Sequence, residues 1–451
     1  MRKTAVAVFC MIIVTSLALA PFVSADWSMF RSDAARSGVG TYNSTGSQVL
    51  TPTLLWKTNI QWNLTEWHVP WNSNISLTEW GMTHKLYKSR GWTEPAVVGG
   101  TVYVGAVSRI SWNIKGGMYD VNRLDVYAFN ATDGAEIWNY KDNSCEEVTP
   151  PAVVNEIVYF ATEQYTIALN AFDGSYLWKY PLGTVRSNPA VADGIVYIGS
   201  RDMRALNATN GHSIWNFTKE QWGGVSSPAI ANGIVYVCSF DDKIYAVDAY
   251  TGDKLWDYPG DFIDYGPAVA NGIVYAMTSW ADIYALDAIS GIKIWNYSIP
   301  NPYAGSQGQH FAIMNNVLYS YNVGNELYAF NASSGAKIWN YTFERIPFPI
   351  SAPTIVKDAV YVNSDHTLYA LNAQNGEILW NYTMNDWVCF SSPVVVNSVA
   401  YVSSGGQVYA IAVPSPPSDD PFPTFLVVAI IAIMVAMAVA GLLLYFKKRK
   451  H

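Results

Sequence analysis

The stretch from Ser226 to Tyr258, SSPAIANGIVYVCSFDDKIYAVDAYTGDKLWDY, leaves few folds open to this chain, because close copies of it recur almost to the end. It reads as four short strands. Asn232-Gly233 suits a tight hairpin that needs φ > 0 at both central positions, and Asp241-Asp242 and Tyr250-Thr251-Gly252 mark two further turns. One copy is therefore one antiparallel four-stranded sheet.

Two landmarks count the copies. The second-strand Tyr recurs at Tyr103, Tyr159, Tyr197, Tyr236, Tyr275, Tyr319, Tyr361 and Tyr401, and the fourth-strand Trp at Trp138, Trp178, Trp215, Trp256, Trp295, Trp339 and Trp380. The missing Trp lies at the other end, in Thr53-Leu54-Leu55-Trp56-Lys57, whereas the last copy stops at Val413 without one. A ring whose last sheet borrows its outer strand from the N-terminal segment leaves no long open edge. A period of roughly 40 residues with four strands each is a propeller signature. The expectation is an all-β, eight-bladed propeller of four-stranded antiparallel blades over residues 26–413, closed by an N-terminal strand at Leu54 to Lys57. Blades stacked on both faces allow strands that are apolar throughout, which accounts for 50% hydrophobic residues without helices. Pro95-Ala96, Pro151-Ala152, Pro189-Ala190, Pro228-Ala229 and Pro267-Ala268 put small residues at the start of first strands, as crowding near an axis requires, and His310-Phe311 breaks that pattern.

The flanks speak about location. Residues 1–25 carry Arg2 and Lys3, an apolar run and Val23-Ser24-Ala25, and read as a secretory signal peptide, with a retained anchor as the alternative. Residues 414–423 form a Pro-rich linker. Residues 424–446 follow as one C-terminal transmembrane helix, since Phe425 to Phe446 is a run of 22 residues without charge, with a sorting tail that is later removed as the alternative. Residues 447–451, with Lys447-Lys448-Arg449-Lys450, form a basic tail that stays cytoplasmic and leaves the propeller outside the cell membrane. Of the 27 Lys and Arg, six lie in leader and tail, which leaves 21 against 35 Asp and Glu outside, a net of −14. Nucleic acid and anionic lipid are poor partners for such a surface, and no nucleic-acid partner is expected.

Residues 27–38, WSMFRSDAARSG, and the recurring Ala-x-Asp/Asn-x-x-x-Gly-x-x-x-Trp endings resemble the quinoprotein-type (PQQ-like) propeller repeat family over about residues 26–413. That family includes PQQ-dependent dehydrogenases and BamB-type scaffolds of outer-membrane assembly. The resemblance implies a docking role between blades for Trp56, Trp138, Trp178, Trp215, Trp256, Trp295, Trp339 and Trp380. It does not bring the quinone with it: the dehydrogenases hold PQQ under a pair of adjacent cysteines, and this sequence has no such pair.

Two insertions break the period. Residues 57–92 hold Trp62, Trp67, Trp71, Trp80, Trp92, His68 and His84; residues 107–124 separate the second and third strands of the first blade and add Trp112. Both emerge on one face of a propeller and are expected to meet over blade 1. They read either as an aromatic platform for an extracellular protein or glycan, or as a hydrophobic cap over the channel. Ten N-x-S/T sequons, at Asn43, Asn63, Asn74, Asn130, Asn207, Asn216, Asn296, Asn331, Asn340 and Asn381, suggest a glycosylated outer surface, although duplication of one repeat position would also raise their number.

Cys145, Cys238 and Cys389 make an odd set once Cys10 leaves with the leader, and Cys238 reads as a small core residue. No G-x-S-x-G, H-E-x-x-H or phosphate loop occurs, and the His residues lack metal-ligand spacing. Asp202, Asp241, Asp282 and Asp365 recur after second strands, as turn residues do. The reading is a membrane-anchored extracellular binding or scaffold protein with no catalytic, cofactor-binding or metal residue assigned. The alternative is an exported PQQ-type oxidoreductase with its cofactor in the axial channel.

Overall fold

The computed structural model describes residues 52–58, 83–114, 117–142, 147–183, 187–219, 223–260, 266–278, 280–300, 311–321, 325–343, 351–384, 391–404 and 407–414. The leader, the residues beyond 414 and the insertion from 59 to 82 lie outside them. Among the described residues there is no helix, hence none long and apolar enough to cross a membrane.

Eight antiparallel sheets follow one another along the chain. Blade 4 shows the unit: Ala229–Ala231, Ile234–Ser239, Lys243–Asp248 and Lys254–Pro259 pair in sequence order. Its first turn holds Asn232 at φ 51° and Gly233 at φ 74°, the left-handed pair that a tight hairpin needs. First strands pack on first strands from blade to blade, and Val394–Val396 of blade 8 meets Ala96–Val98 of blade 1, so these strands line the axis and the ring closes. Thr53–Lys57 is the outer strand of blade 8, antiparallel to Gln407–Ala412, with Leu54 opposite Ile411 and Trp56 opposite Ala410.

The core lies between blades. In blade 4, Val235, Val237, Tyr245 and Val247 pack with Tyr197 and Ala205 of blade 3, while Tyr236, Cys238, Ile244 and Ala246 pack with Val274, Ala276 and Leu286 of blade 5. A strand that is apolar at every position is thus an ordinary two-faced strand with a neighbour on each face. At the break in the Pro-Ala pattern, buried Phe311 packs beside Tyr275, ring centres 6.5 Å apart.

One knot repeats at the seams. Trp215 Nε1 donates to the Ala249 carbonyl of blade 4 at 2.9 Å, and Tyr197 Oη donates to the same oxygen at 3.1 Å. The carbonyls of Ala131, Ala171, Ala208, Ala288, Ala332 and Ala373 each accept the same two donors from the preceding blade. Gly252, at φ 79°, lies so close to the indole that a Cβ there would stand 2.8 Å from Trp215. Trp380 packs in the core between blades 7 and 8. Val413 stands at the alanine position of blade 8, its N–H donating to the Ser398 carbonyl as Ala249 N–H does to Gly233, and the fourth strand of that blade comes from residues 53–57. In every blade the residue before the docking Trp is the extra residue of a β-bulge, which re-aims the ring inward and leaves Leu55, Ile137, Leu177, Ile214, Leu255, Ile294, Ile338 and Leu379 exposed.

Blade 1 departs from the expected four strands. Its second and third strands, Thr101–Ile114 and Gly117–Asn130, run for 14 residues each, and Thr83–Trp92 adds a fifth strand.

Candidate functional site

The connections between blades run alongside the ends of second strands, which puts both on one face of the ring. Val148 bridges to Thr162 and Val225 to Ser239. Lys219, in the connection from blade 3 to blade 4, is buried, and its Nζ donates to the Gly224 carbonyl at 2.9 Å and to Ser239 Oγ at 2.6 Å. An ammonium of this kind holds a connection down against the second strand.

The extension of blade 1 rises from this face. Residues 107–124 were expected as a loop-like insertion between two strands; instead both strands continue through it, with Val107 opposite Leu124 and Ile114 opposite Gly117. The reason is visible in VSRISWNI and MYDVNRL, where β-branched and aromatic residues alternate with polar ones as in an extended ladder. The two insertions pair: Thr83 to Tyr87 run opposite Asn113 to Arg109, and Trp92 lies opposite Ala106. His84 stands opposite Trp112, which stands opposite Tyr119 on its other side. Trp62, Trp67, Trp71, Trp80 and His68 lie outside the described residues, as do Trp222 and Trp387. Elsewhere on this face Trp280 of blade 5 is 60% exposed and Phe240 of blade 4 is 43% exposed.

At the root of the extension sits a buried ion pair. Arg123 Nε donates to Asp125 Oδ2 at 2.9 Å, with both residues buried. Asp125 Oδ1 has no hydrogen-bond partner among the described residues. Burial raises the Asp125 carboxyl above the ordinary range, opposed by the Arg123 charge. Asp125, Tyr127 and Phe129 alternate along one face of the strand; Tyr127 and Phe129 stack and pack against blade 8. The pair is a consequence of the longer sheet, because most other blades end near this level.

Near the axis, hydroxyls latch first strands to second strands. Thr93, Thr149, Ser187, Ser226, Ser351 and Ser391 each accept a hydrogen bond from the backbone N–H twelve residues on, at Gly105, Ala161, Gly199, Cys238, Asn363 and Ser403. The sequence carries this as a recurrent Ser/Thr-x-Pro, of which the reading above used only the Pro-Ala part. A small hollow between these strands is lined by Glu94, Pro95, Pro150, Pro353, Ser392 and Pro393 among others and has a volume of about 10 Å³, room for one water. With one carboxylate and no cationic side chain, this lining does not fit a pyrroloquinoline quinone. No group of three or more His, Cys, Asp or Glu placed to hold a metal occurs among the described residues. Cys238 is fully buried and in no disulfide among the described residues, as a small core residue would be; Cys145 and Cys389 lie outside the described residues.

The sequons fall into three sets. Asn43, Asn63 and Asn74 lie outside the described residues. Asn130, Asn207 and Asn331 end third strands and enter the turns of the docking knot. Asn216, Asn296, Asn340 and Asn381 lie on outer strands.

A family model described as outer membrane protein assembly factor BamB matches residues 122–259, 167–307 and 281–415. Comparison with curated proteins finds no match. Among solved structures, BamB from Moraxella catarrhalis is 18% identical, over 73% of this chain and 97% of that one, with a TM-score of 0.55. A europium-containing methanol dehydrogenase is 14% identical, over 86% and 98%, with a TM-score of 0.64. The quinohemoprotein alcohol dehydrogenase of Comamonas testosteroni is 15% identical, over 87% and 82%, with a TM-score of 0.61. At these identities the likeness concerns the fold.

Proposed function

The chain belongs to the family described as outer membrane protein assembly factor BamB, and on that premise we propose that it is a non-enzymatic scaffold, held outside a membrane by residues 424–446, that binds an extracellular protein or glycan through the extension of blade 1. The observation that carries this reading is the five-stranded blade: one blade of eight has its second and third strands lengthened to 14 residues and an added strand at the edge. Extra length on a repeat scaffold gathers on a binding face. An edge strand offers main-chain donors and acceptors to an incoming extended segment, and Trp92 and Trp112 are of a residue type that dominates binding hot spots.

The test shortens the hairpin by replacing residues 110–121 with Asn-Gly, next to a full-length chain carrying a photo-crosslinking residue in place of Trp112. Crosslinking through position 112 to one defined extracellular partner is the expected result, and binding of that partner, measured without a crosslinker, should be lost in the shortened variant while its melting temperature stays within a few degrees. A large thermal loss with undiminished partner binding would make the extension part of the core instead. Protease added outside intact cells should release the propeller by cutting near Pro414 to Pro423. Dye-linked alcohol oxidation after addition of PQQ and Ca²⁺ would replace the scaffold reading with the oxidoreductase one.

A further inference from the structure

We infer that N-linked glycans are carried at Asn216, Asn296, Asn340 and Asn381, on the rims of blades 3, 5, 6 and 7, and not at Asn130, Asn207 or Asn331, although all seven stand in sequons. The inference rests on the export reading above, since the sugar donor is a lipid-linked oligosaccharide used outside the cytoplasm. In the transfer, the asparagine Nδ2 bonds to the anomeric carbon of the first sugar and loses one proton. The bond from that carbon to the donor's phosphate breaks, and the phosphate leaves with the electron pair.

The two sets differ in what the fold asks of them. Asn130 Oδ1 accepts from the Thr132 N–H at 2.8 Å, Asn207 Oδ1 from Thr209 and Asn210, and Asn331 Oδ1 from Ser334. These are Asx turns, and only the oxygen is needed. Blades 4 and 5 accordingly use Asp248 and Asp287 at the same place, each accepting the same kind of turn bonds. The next residue in each turn, Ala131, Ala208 or Ala332, offers the carbonyl that receives Trp and Tyr from the preceding blade. The turn asparagines are half-buried in that seam. Turn chemistry explains these sequons without any modification.

The rim asparagines have no such reason. Each follows a docking Trp on the outer strand and is exposed, as is its sequon hydroxyl at Thr218, Ser298, Thr342 or Thr383, while the residue between them is half-buried. Their contacts are surface ones: Asn216 Nδ2 donates to Thr218 Oγ1 at 3.1 Å, and Asn340 Oδ1 accepts from Lys337 at 3.3 Å. A strand at the circumference, open on its outer edge, presents amide and hydroxyl together. The equivalent positions of the other blades do not: Lys57 and Lys179 replace the asparagine, Asp257 does so in blade 4, and Asn139 is followed two residues on by Lys141. These four glycans would therefore sit on the outer strands of blades 3, 5, 6 and 7 and not on those of blades 8, 1, 2 and 4.

The full chain, purified from the cells that make it, is digested and each sequon peptide weighed, with its N-terminus read in the same experiment. Glycan is expected on all four rim peptides and on none of the three turn peptides. Thr218→Ala, Ser298→Ala, Thr342→Ala and Thr383→Ala should each remove one glycan's mass, and Thr132→Ala, Thr209→Ala and Ser333→Ala none. A glycan on any turn asparagine, or a wholly unmodified peptide at any rim site, overturns the inference. Bare rim sites on a chain whose leader has been removed would overturn it alone; bare sites on a chain that keeps its leader inside the cell would remove the export reading as well.

Discussion

Seven of the eight seams of this ring turn on a single alanine carbonyl. The Ala249 oxygen has two lone pairs and receives Trp215 and Tyr197, so loss of one donor leaves it satisfied. Trp215→Phe should then cost about 1 kcal/mol for the hydrogen bond, with a further share for the smaller ring. Gly252→Ala is the harsher change despite adding one methyl group. It forces an L side chain to φ 79° and sets a Cβ 2.8 Å from the indole. The backbone strain alone is about 1–3 kcal/mol, before the ring is displaced. Urea unfolding of the two variants should rank Gly252→Ala as the less stable; the reverse order would mean that the donor, not the close contact, holds the seam.

At the level of elements, the strand Thr53–Lys57 and the extended blade 1 carry the consequences. Leu54 packs into the core between blades 7 and 8, and Trp56 into that between blades 8 and 1, so one five-residue strand seals two seams. Deleting residues 50–58 opens the edge of Gln407–Ala412 and removes Trp56 from the Ala131 knot, leaving Tyr401 as the donor there. The loss should be several kcal/mol, a large share of a stability of about 5–15 kcal/mol, and an unchanged melting temperature would refute the closure role. In blade 1, Asp125→Asn leaves Arg123 charged in the interior and should destabilise by about 3–5 kcal/mol, whereas Arg123→Met with Asp125→Leu should come close to neutral or better. Thermal unfolding of the single and double variants separates a paired charge from a merely polar position.

For the whole molecule, the docking tyrosines form a ring of phenols whose ionisation burial opposes. Tyr159, Tyr236 and Tyr401 are pushed up to about 12 by burial, and Tyr103, Tyr197, Tyr275 and Tyr319 are raised by the same cause. Because the folded values exceed the unfolded one of about 10, their contribution to stability is whole below pH 10 and is lost as pH rises through about 12. Absorbance of tyrosinate near 295 nm, followed with circular dichroism, should show these phenols ionising together with loss of the β-sheet signal. Titration near pH 10 with the sheet intact would place them in contact with water.

Blade number, strand order and the closing strand were legible in Tyr103 to Tyr401, the docking Trp set and the displaced Trp56, because a repeat that cannot bury its own faces advertises its neighbours. The period also marked where regularity stops, at residues 57–92 and 107–124. It could not say that residues 107–124 prolong two strands, since an alternating segment becomes sheet only when a partner strand such as Thr83–Trp92 lies beside it. Nor could spacing distinguish Asn207 from Asn216, both of which are sequons. The first is tied to a turn and the second stands on an open strand, a difference made by backbone donors and exposed surface that exist only once the ring has closed.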